Sequence, residues 1–201
     1  MRRTWLSLPL VLGLVVVAGC AKPPQAEIDA AKKAVADARA EASEYASQAM
    51  SQAEDAVSQL DAELKAQEDK FALFRSYKKA TELAATAKAA GERAASEAAT
   101  AKEQAKNDAT DAIGRARTTL SEVQALMAQA PTGKGTQADI EVLKSDLAGV
   151  ETSINEADSS FQAGKYKDAK AKADAAVASA ENVRSAINAA IEAKKTARGK
   201  H

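Results

Sequence analysis

The sequence predicts an all-α fold: an elongated, antiparallel, coiled-coil-like helical bundle made of two copies of a three-helix unit that share one long central helix. Three observations predict it. Alanine, the best helix former, supplies roughly a quarter of the 201 residues, while Leu, Ile, Val and Phe are sparse. From Gln25 to Ala130 there is no proline, and the only glycines are Gly91 and Gly114, which is poor punctuation for strands and turns. Apolar residues recur at alternating spacings of three and four, as on helices packed along a narrow seam, and the pattern occurs twice.

The composition also excludes some classes. Lys and Arg number 28, Asp and Glu number 28, and the net charge is zero. A nucleic-acid binder shows a basic excess or stripe, so nucleic acid is not an expected partner. So lean an apolar content excludes a thick core. Disorder normally accompanies high net charge, which is absent.

Residues 1–19 read as a targeting leader. Arg2 and Arg3 form a positive start, and Leu6 to Ala18 form an apolar run of 13 residues, shorter than the ~20 a spanning helix needs. The run closes on Val17-Ala18-Gly19-Cys20. Small residues before a cysteine resemble a bacterial lipobox, which implies cleavage before Cys20 and lipidation of Cys20. The competing reading is a secreted protein with a spare thiol, and it leaves the position of the chain's single cysteine unexplained. Ala21, rather than Asp, follows; by resemblance to the Gram-negative sorting rule this favours the outer membrane, facing the periplasm. With no second cysteine, no disulfide framework is available. Residues 20–24 are then the lipidated cysteine and a tether stiffened by Pro23 and Pro24.

The first helical unit is expected over 25–104. Ile28, Ala31, Val35, Ala38, Ala42, Tyr45 and Ala49 form its first seam. Ala53, Val57, Leu60, Leu64, Phe71 and Phe74 form the second, with Gln67 as a polar interruption. Tyr77, Ala80, Ala84, Ala87, Gly91, Ala94, Ala98 and Ala101 form the third. Ser51 with Glu54 reads as a capping box that starts the second helix. The alternative is one continuous helix from Gln25 to Phe74, folded into a long hairpin that joins a four-helix bundle.

The second unit is expected over 105–196. Ile113, Ala116, Leu120, Val123 and Met127 echo the first seam. Ile140, Leu143, Leu147, Val150, Ile154, Ala157 and Phe161 echo the second, and Tyr166, Ala169, Ala173, Ala176, Ala180, Val183, Ile187 and Ala190 echo the third. Pro131-Thr-Gly-Lys-Gly135 is a loop, followed by a capping box at Thr136 and Asp139. Gly164 is placed to end a helix as a C-cap glycine. The third helix of the first unit runs into the first helix of the second, roughly Tyr77 to Ala128, and the seam's change of phase between Ala101 and Ile113 predicts a kink or register shift. Residues 197–201 form a basic tail; Lys194, Lys195, Arg198 and Lys200 read as a solvated end, with contact to anionic murein or lipid as the lesser option.

The catalytic inventory is bare. The only histidine is His201 and the only cysteine is Cys20. A His/Cys metal centre and a Cys/His or Ser/His/Asp nucleophile are therefore not expected, nor is a cofactor. Glu27, Asp29, Asp37, Glu41, Glu44, Glu54 and Asp55 recur between seam positions, as a solvated helix face requires. Gly133-Lys134-Gly135 lacks phosphate-loop spacing. The aromatic residues are concentrated where the second helix of each unit meets the third: Phe71, Phe74 and Tyr77, then Phe161 and Tyr166. They read either as plugs at the end of an alanine seam or as exposed anchors for a partner, with Arg75, Lys78 and Lys79 beside the first cluster.

The lipobox, the Pro-rich start, the alanine-rich three-helix pattern and the turn Phe161-Gln-Ala-Gly-Lys-Tyr166-Lys-Asp-Ala169 together resemble a helical domain-of-unknown-function family of bacterial envelope lipoproteins, often found before OmpA-like domains. The turn also resembles that of tetratricopeptide repeats, and the lipobox with alanine heptads resembles the short murein lipoprotein. The lipobox, the repeats and the lack of catalytic groups lead to the expectation of a non-enzymatic scaffold or adaptor of the envelope, held to the membrane by its lipid, with an envelope protein or peptidoglycan as a further partner; the sequence shows no OmpA-like domain, so peptidoglycan binding is not carried over from the resemblance. A peptidoglycan- or lipid-contacting module is the alternative. Oligomeric state stays open, because alanine seams pair within or between chains.

Overall fold

A computed structural model describes residues 22–130 and 137–198. The leader, Cys20, the loop from Pro131 and the capping residue Thr136 lie outside the described residues. Within them the fold is all-α, with no strand: α1 (Gln25–Tyr45), α2 (Ser47–Glu68), α3 (Lys78–Met127), α4 (Gln137–Gln162) and α5 (Tyr166–Arg198). A single 3₁₀ turn, Ala72–Phe74, lies between α2 and α3. Among the described residues no helix is long and apolar enough to cross a membrane. The chain divides into two compact units between Ala95 and Ser96, within α3; the sequence reading puts the change at 104/105.

In the first unit α1 begins directly after the Pro23-Pro24 pair. The Pro24 carbonyl accepts the Ile28 N–H at 3.0 Å, so proline's missing donor costs nothing there. Helices α1 and α2 are separate, broken at Ala46, whose φ of −141° and ψ of 50° leave the helical region. The pairs Lys32–Asp61 (2.7 Å) and Arg39–Glu54 (2.9 Å) show that α2 folds back antiparallel on α1. This overturns the continuous helix from Gln25 to Phe74. It also overturns the Ser51–Glu54 start: α2 begins at Ser47, and Ser51 lies inside it. Helix α3 runs antiparallel to α2, through Lys79–Glu63 at 3.0 Å and Arg93 on Gln52. It lies parallel to α1, with Gly91 against Ala34 and Val35. Ile28, Leu60 and Tyr77 are buried among Ala31, Ala56, Ala80, Ala84 and Ala87. Small side chains let the axes approach closely, but each buries little area.

The second unit has the same order of helices. The second stretch of α3 runs antiparallel to α4, through Arg117–Asp158 at 2.6 Å, and parallel to α5, through Arg115–Asp174 at 3.1 Å and Arg184 on Glu122. Its core holds larger side chains: Ile113, Val123, Leu143, Leu147, Val150, Ile154, Val183 and Ile187. Gly164 sits at φ +75° and ends α4. The Lys165 N–H reaches the Ser160 carbonyl at 2.9 Å and the Gly164 N–H reaches Phe161 at 3.0 Å, which together make a Schellman motif. The central helix is unbroken from Lys78 to Met127. The expected phase change shows instead as a gap in the core: no α3 position from 99 to 108 is buried.

Candidate functional site

The connection between α2 and α3 is where the structure departs most from the seam pattern. The three-and-four spacing carries on through Leu64, Gln67, Phe71 and Phe74, which places both phenylalanines in the core. Helix α2 stops at Glu68, however, so the spacing beyond it no longer reports a helix face. Phe71, Leu73 and Phe74 are instead 68%, 67% and 76% exposed. The two rings lie 6.4 Å apart, tilted by 52°. The plug reading is therefore overturned for Phe71 and Phe74. It holds for Tyr77, which is buried among the alanines.

No glycine or proline makes this turn; side chains do. The Arg75 guanidinium reaches back to the carbonyls of Glu68 at 2.8 Å and Lys70 at 3.0 Å, placing its charge at the negative end of α2. Gln67 is buried, and its amide is used on both sides. Its oxygen accepts the Ser76 N–H at 3.0 Å, and its nitrogen donates to Glu63 at 2.7 Å. The Gln67 hydrogen bond, then the Lys79 ammonium, hold the Glu63 carboxyl below its usual range. The polar interruption of the seam is thus the latch that closes the turn. The segment from Phe71 to Phe74 is left as a short apolar loop held at both ends, with Lys70 and Lys78 exposed beside it.

The matching turn of the second unit is built differently. Three residues, Ala163 to Lys165, suffice because Gly164 takes the left-handed conformation. The Phe161 and Tyr166 rings lie 5.2 Å apart, tilted by 59° and half-buried, and Phe161 packs on the core. There the plug reading holds. A buried polar group is again the fastening: the Ser160 hydroxyl donates to Asp168 at 2.7 Å and accepts from Lys172 at 3.1 Å. The Ser160 hydrogen bond, then Lys172, lowers the Asp168 carboxyl. Gln67 and Ser160 are the buried polar residues of the described core, and each fastens the turn between the second and third helix of its unit. The sequence marks Gln67 as an interruption of the seam and as an exposed partner of Glu63, whereas Gln67 is buried; nothing in the seam pattern singles out Ser160.

Elsewhere the charged groups form ion pairs along exposed helix faces, which contribute little individually. Among the described residues no three His, Cys, Asp or Glu side chains are grouped to hold a metal ion. In the tail, Lys195 pairs with Glu192 at 2.6 Å and α5 continues to Arg198. The site residue Cys20 lies outside the described residues. Comparison with protein-family models, with curated proteins and with solved structures gave no match in any of the three.

Proposed function

We propose that this chain is a lipid-anchored envelope protein, acylated at Cys20 and held on the periplasmic face of a bacterial outer membrane. Its coiled-coil-like helical body acts as a scaffold or adaptor rather than as an enzyme. The observation that carries this reading is the Val17-Ala18-Gly19-Cys20 sequence at the end of a short apolar leader, five residues before the helical body begins. The body supports it in kind. Two alanine-seamed three-helix units offer helix surface, and the exposed apolar turn offers a place for contact.

Labelling of cells with an alkyne fatty acid tests the anchor. The wild-type chain should take up the label and fractionate with outer membrane, and Cys20→Ala should abolish both. An unlabelled wild-type chain in the soluble fraction would end this reading. The alternative, a lipid-contacting module, gains support from the same exposed turn.

A further inference from the structure

The exposed turn and the start of the helical body lie at the same end of the first unit. Helices α1 and α2 are nearly equal in length, 21 and 22 residues, and fold back on each other at Ala46. The pairs Lys32–Asp61 and Arg39–Glu54 fix their register, which brings Gln25 level with Glu68. Helix α3 agrees: Ala26, Glu27 and Ala30 share a groove with Thr81, Ala84 and Lys88, and Ile28 packs in one cluster with Tyr77. The chain therefore enters the bundle beside Phe71, Leu73 and Phe74.

We propose that this turn is a second membrane contact, in which Phe71, Leu73 and Phe74 enter the lipid interface next to the acyl anchor and fix the first unit's orientation on the bilayer. The proposal rests on the lipid-anchor reading. Gln25 lies five positions after Cys20, and at ~3.4 Å per step that span reaches at most about 17 Å. An acylated Cys20 thus holds this end of the unit within that distance of the headgroups, where the first apolar surface the turn meets is lipid. One anchored point leaves a rigid body free to swing; a second contact removes that freedom. Aromatic and leucine side chains suit the interface, which accepts apolar bodies at headgroup depth. Lys22, Lys70, Arg75 and Lys78 at this end match anionic headgroups, and Glu27, Glu68 and Asp69 partly offset them. Insertion of the apolar side chains therefore carries the contact, and charge modulates it. The other unit's corresponding turn cannot do the same, since its phenylalanine is packed on the core.

The test places a reporter in the turn. The sequence's only tryptophan is Trp5, in the leader, so Phe74→Trp gives the processed chain a single indole. The acylated variant is reconstituted into vesicles of phosphatidylethanolamine and phosphatidylglycerol, with acylation checked by mass. Emission should shift to the blue and be quenched at least twofold by lipid brominated near the headgroup. In parallel, the mature chain with Cys20→Ala, which carries no acyl group, is floated with the same vesicles. It should bind weakly, and Phe71→Ser with Phe74→Ser should lower that binding about tenfold. Unquenched emission from the acylated variant overturns the proposal, as does binding by the Cys20→Ala chain that ignores both serine changes. A single protein adduct from a photocrosslinker at Phe74 in cells, with unquenched emission, would assign the turn to a protein partner instead. A wild-type chain that is never acylated sinks the anchor reading alone, and the flotation result still decides whether the turn binds lipid.

Discussion

Gln67 and Ser76, nine residues apart, are joined by a hydrogen bond of 3.0 Å from the Ser76 N–H to the buried Gln67 side-chain oxygen. This bond ends α2 where the sequence offers no glycine or proline. Gln67→Ala removes the acceptor and also frees Glu63 from its amide partner. The expected cost is about 1–2 kcal/mol. Amide exchange at Ser76 reads it directly: protection there should fall while that of the α5 core stays. Unchanged exchange at Ser76 would mean that Arg75 alone holds the turn.

Gly91 marks a close approach of α1 and α3. A Cβ there would fall 2.8 Å from the Ala34 carbonyl carbon and 2.8 Å from the Val35 nitrogen, both backbone atoms that cannot swing aside. Overpacking of this kind costs about 1–3 kcal/mol, against about 1 kcal/mol gained in helix propensity. Gly91→Ala is therefore expected to be net destabilising. Gly114→Ala and Gly149→Ala meet nothing within 4 Å. Each should stabilise by about 0.5–1 kcal/mol. Urea unfolding followed by circular dichroism separates them, and a stabilising Gly91→Ala would contradict the α1–α3 packing.

Phe71 and Phe161 occupy corresponding turns with opposite exposure, and their serine variants should differ accordingly. Phe71→Ser and Phe74→Ser remove side chains already in water, so unfolding should change by no more than about 0.5 kcal/mol. Phe161 touches Tyr166 and the core, so Phe161→Ser should cost well over 1 kcal/mol. Equal losses at both turns would show that the first cluster is packed after all.

The seams were the legible part of this fold. Ile28, Val35, Leu60, Ala80, Ile113, Leu147, Ala176 and Ile187 all fall at buried positions, because a helix repeats its face every three to four residues whatever its neighbours are. Gly164 was legible too, since a left-handed cap is cheap only for glycine. The positions of the breaks at Ala46 and after Glu68 are not: the pattern separates three helices but starts the second at Ser51 and carries its seam on to Phe74. Neither carries a helix-breaking residue; the first is fixed by the packing of α1 on α2, and the second by Arg75 and Gln67 reaching across the turn. Ser51–Glu54 has the right letters for a cap, but a capping box also occurs inside helices whose real start is set by tertiary contacts. For the same reason the seam spacing misplaces Phe71 and Phe74: periodicity locates a side chain only while the helix continues.

Both turns are fastened by carboxylates held in the charged form. Gln67 and Lys79 lower Glu63, and Ser160 and Lys172 lower Asp168. A carboxyl whose folded pKa is depressed stabilises the fold above its unfolded value and loses that contribution as pH falls through the folded one. Stability should therefore be level from pH 7 to about pH 5 and decline below about pH 4, the ordinary carboxylate range. Glu63→Gln should flatten the decline seen at the Ser76 amide. Protection at Ser76 that rises on acidification would refute this assignment.

Each unit has a core cluster of its own, and the two differ in make-up. Besides alanines, the cluster around Tyr77 contains only Ile28 and Leu60 as buried members, with Val35 and Met50 buried elsewhere in the first unit, whereas the main cluster of the second unit contains eight Leu, Ile and Val side chains. Leu60 is completely buried, so Leu60→Ala is expected to cost about 3 kcal/mol, a large share of what so thin a core supplies. Native-state amide exchange should show α1, α2 and the start of α3 opening at lower free energy than α4 and α5. In Leu60→Ala the first set should lose protection almost completely while Val150 and Ile187 keep theirs. Loss spread evenly from α1 to α5 would instead mean that α3 couples the units into one cooperative fold.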